Sequence, residues 1–198
     1  MPQKPPCVSY LGRTNQLRFP LVLFIGREYN GTGIASSRVG QYCFEKSPKS
    51  IFWNRAYCLV DRVIIENNSL KSECRRTISS PILFSNLLPI SIPNSSRSKL
   101  TARKAITDIA LNQHLVNVFS QEIVKRVEIV ILSCGQDEVF ARGTTLVRSH
   151  CKMRKKKLIE LPYLGSRLTN ADIDAHLSKE QTASIRRLAQ RWRTTSEA

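Results

Sequence analysis

The sequence predicts an α/β fold: three layers, α/β/α, around a central, mostly parallel sheet of four strands. Two observations predict it. Four short apolar runs, LVLFI from Leu21, PILFSN from Pro81, VEIVILS from Val127 and LIEL from Leu158, carry no helical stripe, as strands buried on both faces do. Between them lie segments whose apolar residues repeat at helical spacing, and strands alternating with helices imply parallel pairing with helices on both faces.

In chain order, residues 1–19 form an irregular N-terminal arm rich in proline, and 20–198 a single domain that includes a basic C-terminal helical region. Leu21–Ile25 is the opening strand, with a buried helix segment as the alternative by pattern alone. It stops at Gly26 and leads into a polar loop, Arg27, Glu28, Tyr29 and Asn30, closed by Gly31. The stretch TGIASSRVGQ is a loop or one short helix. Ser50–Arg62 is helical, since Phe52, Ala56, Leu59 and Val60 share one face with Val63. A polar, basic loop over 67–80 precedes the strand that ends at Asn86, and LLPISIPNSSRSK is a loop. Thr101–Arg126 is the longest helical stretch, with Ile106, Ile109, Val116 and Ile123 along one face and Leu115 and Phe119 beside it. Val127–Ser133 is a strand, Gln136–Gly143 a short helix, Val147–Lys157 a strongly basic stretch, and Leu158–Leu161 a strand cut off by Pro162. Asp172–Arg193 is helical and rich in arginine.

The charge balance narrows the partner. Against 15 acidic residues stand 31 Lys and Arg, a net +16, which points to a polyanion, most often nucleic acid; a generally basic surface is the plain alternative. No segment approaches the ~18 apolar residues of a membrane span, and the N-terminus lacks a signal-peptide apolar region. The six cysteines (7, 43, 58, 74, 134 and 151) are scattered without a C-x-x-C pair, which favours buried thiols, Cys58 and Cys134 first, in a reducing cytoplasm. A metal cluster drawn from distant cysteines is the alternative, but no metal and no cofactor are expected. Neither G-x-x-x-x-G-K-[ST] nor G-x-G-x-x-G occurs, which counts against a nucleotide or nucleoside hydrolase on a Rossmann-like sheet.

In a parallel sheet, the strand ends at Gly26–Gly31, at Asn86 and at Leu161–Arg167 converge on one edge. That edge would hold a carboxylate (Glu28), an amide (Asn86), an aromatic (Tyr29 or Tyr163) and an arginine (Arg167). The set suits a nucleobase: an amide pairs with its edge, an aromatic stacks on it, and a carboxylate orients water or stabilises a cationic sugar. The plain alternatives are a solvated loop carboxylate for Glu28, a turn residue for Asn86 and core-edge aromatics for the tyrosines. His114 falls mid-helix and reads as structural, and His150, within the basic stretch, as facing phosphate.

These residues, in this order, resemble the uracil-DNA glycosylase superfamily. IGREYNG is similar to that family's G-x-D-P-Y-H-G or G-x-N-P-G loop, with Gly26, Arg27, Glu28, Tyr29 and Gly31 in corresponding places. ILFSN matches the strand ending in the asparagine that reads the pyrimidine edge. ELPYLGSR matches the H-P-S-type loop that enters the minor groove, with Pro162, Ser166 and Arg167 retained in kind. The first motif lacks its proline, Glu28 replaces Asp or Asn, and Leu161 stands where the family has histidine, which implies an altered pocket and a substrate other than plain uracil. The resemblance covers about 21–167.

It implies base flipping and hydrolysis of the N-glycosidic bond of a modified or damaged pyrimidine. The partner is DNA, duplex or single-stranded; because anti-phage members of the family remove bulky modified cytosines, phage DNA is one such partner. Glu28 is then the catalytic carboxylate with Asn30 as the alternate. Gly26, Tyr29, Phe44, Asn86 and Tyr163 bind substrate, and Lys152, Arg154, Lys155, Lys156, Ser166 and Arg167 bind DNA. A monomer without membrane attachment is expected, with a catalytically inactive nucleic-acid-binding protein of the same fold as the alternative function.

Overall fold

A computed structural model of the chain describes residues 7–12, 22–27, 29–30, 33–34, 39–41, 79–92, 101–135, 137–163, 175–184 and 186–187. The central sheet contains β1 (Val8–Gly12), β2 (Val22–Gly26), β5 (Val39–Gln41), β6 (Ser79–Asn86), β8 (Ile129–Ser133) and β9 (Lys157–Leu161), in the order β5-β1-β6-β2-β8-β9. Its heart is the expected set of four parallel strands, β6-β2-β8-β9. A smaller sheet joins β3 (Tyr29–Asn30), β7 (Ile90–Ile92) and β4 (Gly33–Ile34).

The four strands form where apolar runs are bounded by breakers, and alternate side chains go to opposite faces. On one face Leu23, Ile25, Leu83, Val130 and Leu132 join a core with Leu111, Leu115, Val118 and Phe119 of helix α1 (Asp108–Ser120) and Val139, Phe140 and Val147 of helix α3 (Glu138–Met153). On the other face Val22, Phe24, Ile82, Phe84, Ile129 and Ile131 are also buried, so the sheet is the middle layer of an α/β fold. The helix expected at Ser50–Arg62 lies outside the described residues.

Helix α1 starts where Thr107 Oγ1 accepts the Ala110 backbone N–H at 3.2 Å, with Asp108 favourably placed in the first turn. It stops at Gln121, whose extended backbone breaks the long helix expected over Thr101–Arg126 and sets off the short helix α2 (Glu122–Lys125). The buried stripe also differs from the expected one. Ile109 is 83% exposed and Val116 lies at the surface, while Leu111, His114, Leu115, Val118 and Phe119 face the core. These five recur at three- and four-residue steps, a complete helical face once the histidine is counted with the apolar residues.

Further corrections concern length and edge. The short helix expected at Gln136–Gly143 runs instead to Met153 and takes up most of the basic stretch. Gly143 lets it run close to the sheet, since a Cβ there would lie 2.7 Å from the Leu87 side chain. Within the arm expected to be irregular, Val8–Gly12 is a strand, antiparallel to β6 and parallel to β5. Ser85 Oγ donates to the Cys7 carbonyl at 2.6 Å, and both residues are buried. Parts of TGIASSRVGQ, expected as a loop or one short helix, are β4 and β5, and part of LLPISIPNSSRSK, expected as a loop, is β7. Among the described residues no helix is long and apolar enough to cross a membrane.

Candidate active site at the carboxyl edge of the sheet

Because β6, β2, β8 and β9 are parallel, their carboxyl ends meet on one edge. Gly26 stands in register with Asn86, Ile25 with Leu132, and Ser133 with Leu161. Hydrogen bonding continues past the strands. Leu87 N–H donates to Gly26 O at 2.8 Å and Leu88 N–H to Arg27 O at 2.9 Å. Cys134 Sγ donates to Gly26 O at 3.3 Å, and Ser133 Oγ to Pro162 O at 2.8 Å. Each chain exit is therefore anchored to a neighbouring one.

Asn86 ends β6 in a buried position, and its backbone carbonyl accepts from His114 Nε2 at 2.8 Å. A carbonyl only accepts, so the proton sits on Nε2. Burial pushes the His114 pKa below the ordinary imidazole value, opposed by this hydrogen bond, so the ring is neutral. His114 is structural, as expected.

Arg27 is the hub that sequence reasoning missed. Its guanidinium lies between two rings, 4.7 Å from the centre of Phe140 and 4.5 Å from that of Tyr163. Nη2 is 3.5 Å from Asp137 at the start of α3, where Arg103 Nη1 also reaches Asp137, at 3.3 Å. Arg103 lies over the same Phe140 ring at 4.9 Å. Arg27 Nε is buried with no hydrogen-bond partner among the described residues, so stacking carries much of this arrangement. Gly135 makes the room: a Cβ there would meet Arg27 Nη2 at 3.3 Å. Through backbone and side chain together, Arg27 links the exits of all four parallel strands. The available signal was local, since Arg27 is the cation between Gly26 and Glu28 and Gly135 follows a strand end, but a two-ring stack joins residues more than a hundred positions apart.

Beside this hub a cleft of about 640 Å³ opens along β9 and α3. Cys134, Gly135, Pro162 and Tyr163 line it at the strand ends, Thr144, Arg148 and Glu160 along its length, and His176 from the C-terminal helical region. Arg148 and Glu160 form a two-point ion pair at 2.6 and 2.7 Å, which raises the arginine pKa.

The structure brings Gly26, Asn86 and Tyr163 to this edge. Tyr29 and Asn30 continue from it as β3, paired in register with Ser91 and Ile92. Glu28, Phe44, Ser166 and Arg167 lie outside the described residues, as does Cys58. The basic run is not brought to the edge. Lys152, Arg154, Lys155 and Lys156 occupy the turn from α3 into β9, at the amino edge of the sheet. Two of them are engaged internally: Arg154 Nη1 donates to His150 Nδ1 at 2.9 Å, and Lys156 Nζ donates to Lys125 O at 3.0 Å and Val127 O at 2.5 Å. His150 does not face phosphate. It is buried, stacks on Phe119 with centroids 4.9 Å apart, and has its pKa lowered by burial and then by Arg154. Cys134 is partly buried, while Cys7 and Cys151 are buried, with pKa values pushed up to about 11 chiefly by that burial. Among the described residues no group of three His, Cys, Asp or Glu could hold a metal ion.

No protein-family model matches the chain, and no curated protein matches it.

Proposed function

We propose that this protein is a DNA glycosylase of the uracil-DNA glycosylase type, acting on a modified or damaged pyrimidine. The observation that carries the reading is the joining of the first and last strand exits. Gly26 and Asn86 are in register, and Arg27, next to Gly26, stacks on Tyr163 in the segment after β9. The described parts of the three segments that resemble the family's motifs thus share one edge, where open α/β sheets bind ligands.

In this mechanism the target nucleotide is flipped from the helix, at a cost of a few kcal/mol offset by stacking and backbone contacts. The bond from C1′ to the base nitrogen breaks with its electron pair leaving on the base, and water adds to C1′, leaving an abasic site; one water proton returns to the base. Glu28 stabilises the cationic sugar or orients that water, with Asn30 as the alternate. Asn86 reads the pyrimidine edge. Tyr163, Tyr29 and Phe44 supply aromatic surface, and Gly26 permits close approach. Ser166 and Arg167 contact the DNA backbone, and Leu161 in place of the family's histidine shifts the pocket away from plain uracil. The protein acts as a cytoplasmic monomer, with phage DNA carrying modified bases among its substrates.

The test is incubation with duplexes containing uracil, hydroxymethylcytosine or glucosylated hydroxymethylcytosine, followed by alkali. Strand cleavage is expected on at least one modified duplex, and its loss in Glu28→Ala and Asn86→Ala. DNA binding without an abasic product on any of them would favour an inactive nucleic-acid-binding protein of the same fold.

A further inference from the structure

The amino edge of the sheet, opposite the candidate active site, carries a second concentration of charge. The segments 122–128 and 152–157 contain seven basic residues against two acidic ones, Glu122 and Glu128. They form one surface. Lys156 reaches from the α3–β9 turn to the carbonyls of Lys125 and Val127, and the Lys157 N–H donates to Glu128 O at 2.9 Å. Lys125 is paired with Glu122, whereas Arg126, Lys152, Lys155 and Lys157 form no ion pair among the described residues. Lys152, Lys155 and Arg126 are exposed.

The turn itself is unusual. Lys155 has φ 53°, the left-handed region that favours glycine. The turn is closed by Lys156 N–H to Cys151 O at 2.9 Å and Lys155 N–H to Lys152 O at 3.2 Å. A lysine held where glycine is easier puts an ammonium at the tip of the turn at a cost in backbone energy, the kind of local strain that marks functional positions.

We infer that Arg126, Lys152, Lys155 and Lys157 form a phosphodiester-backbone contact, a second nucleic-acid surface separate from the carboxyl edge. It goes beyond the proposed function and needs no catalysis. The strand β9 separates the two surfaces: four steps of about 3.3 Å put its ends about 13 Å apart. A phosphate backbone is bound by cations without apolar contacts. An anionic membrane surface is the weaker match, because an interfacial segment needs an apolar face, and Met153 is the one large apolar side chain exposed at this turn.

The experiment is salt-dependent binding of an unmodified duplex of about 30 base pairs by the full chain. The patch variant is Arg126→Gln/Lys152→Gln/Lys155→Gln. The control, Lys104→Gln/Lys179→Gln/Arg187→Gln, removes the same charge from other exposed positions. With thermal unfolding matched to the wild type, the patch variant is expected to bind about tenfold more weakly, with the salt slope reduced by about 2.7, near 0.9 per lost contact. The control is expected to change affinity by about twofold or less. Lys152→Arg/Lys155→Arg should bind as the wild type does. Equal weakening in both triple variants would leave only net charge and overturn the inference. So would unchanged duplex binding by the patch variant, including the case in which its binding to phosphatidylserine vesicles, measured in parallel, is the property lost. Because no base release is read, failure of the glycosylase reading and failure of this one are separate results.

Discussion

His114, on the buried face of α1, donates from Nε2 to the carbonyl of Asn86 at 2.8 Å, so a helix side chain fixes the peptide at the end of a central strand. The bond requires the proton on Nε2, while burial keeps the ring neutral against the pull of that bond. His150, which accepts from Arg154 at Nδ1, is held neutral by burial and by that cation.

Both histidines therefore have pKa values below the 6.5 expected when unfolded. The unfolded chain binds more protons below about pH 6.5, so their contribution to stability is present above that pH and is lost as the pH falls towards the folded values. The unfolding free energy read from denaturant melts should fall between about pH 7 and pH 5, by up to about 1.4 kcal/mol per pH unit for each group. His150→Gln should show a shallower fall than the wild type. A flat profile would show that neither ring is held neutral.

Arg27 and Gly135 should be coupled. Arg27→Ala removes a guanidinium sandwiched by Phe140 and Tyr163, a loss of about 2 kcal/mol. Gly135→Ala pushes a methyl to 3.3 Å from Nη2, an overpacking of about 1 kcal/mol. In the double variant the second cost should vanish, because the group that the methyl meets is gone. Urea unfolding of the four proteins measures the coupling directly; additive losses would show that Gly135 is constrained by something other than Arg27.

Gly143 should resist replacement although it lies inside a helix. Alanine would ordinarily gain up to about 1 kcal/mol there. Here the methyl would meet the Leu87 side chain at 2.7 to 2.9 Å, and Leu87 is fully buried. A net loss of about 1–3 kcal/mol is expected, with partial recovery in Gly143→Ala/Leu87→Ala. A stabilised Gly143→Ala would mean that α3 readily moves away from the end of β6.

The parallel heart of the sheet was legible because β2, β6, β8 and β9 are apolar runs, mostly ended by a glycine, asparagine or proline. Asn86 and Tyr163 followed from those ends. The helices were harder. In α1 the core stripe runs through Leu111, His114 and Val118, a mixed set that stands out less by apolar spacing than the expected face through Ile109 and Val116. In α3 the mid-helix glycine and the basic end obscured a helix whose buried side is set by Val139, Phe140, Val147 and Cys151. The β1 strand owes its place to a partner more than seventy residues away, and short-range pattern does not report that. The basic run was recognised as a unit, but its edge of the sheet depends on where α3 ends, ten residues beyond the expected boundary.

The two hydrogen bonds from Leu87 and Leu88 to Gly26 and Arg27 carry the β2–β6 pairing beyond the strands. The segments leaving the carboxyl edge therefore share a root. Opening one without the other would break both bonds and pull Arg27 out of its aromatic slot, so their excursions are correlated and the edge behaves as one jaw. The Leu87 and Leu88 amides are freed only when the two segments part, so slow and equal exchange of both with solvent is the mark of that coupling.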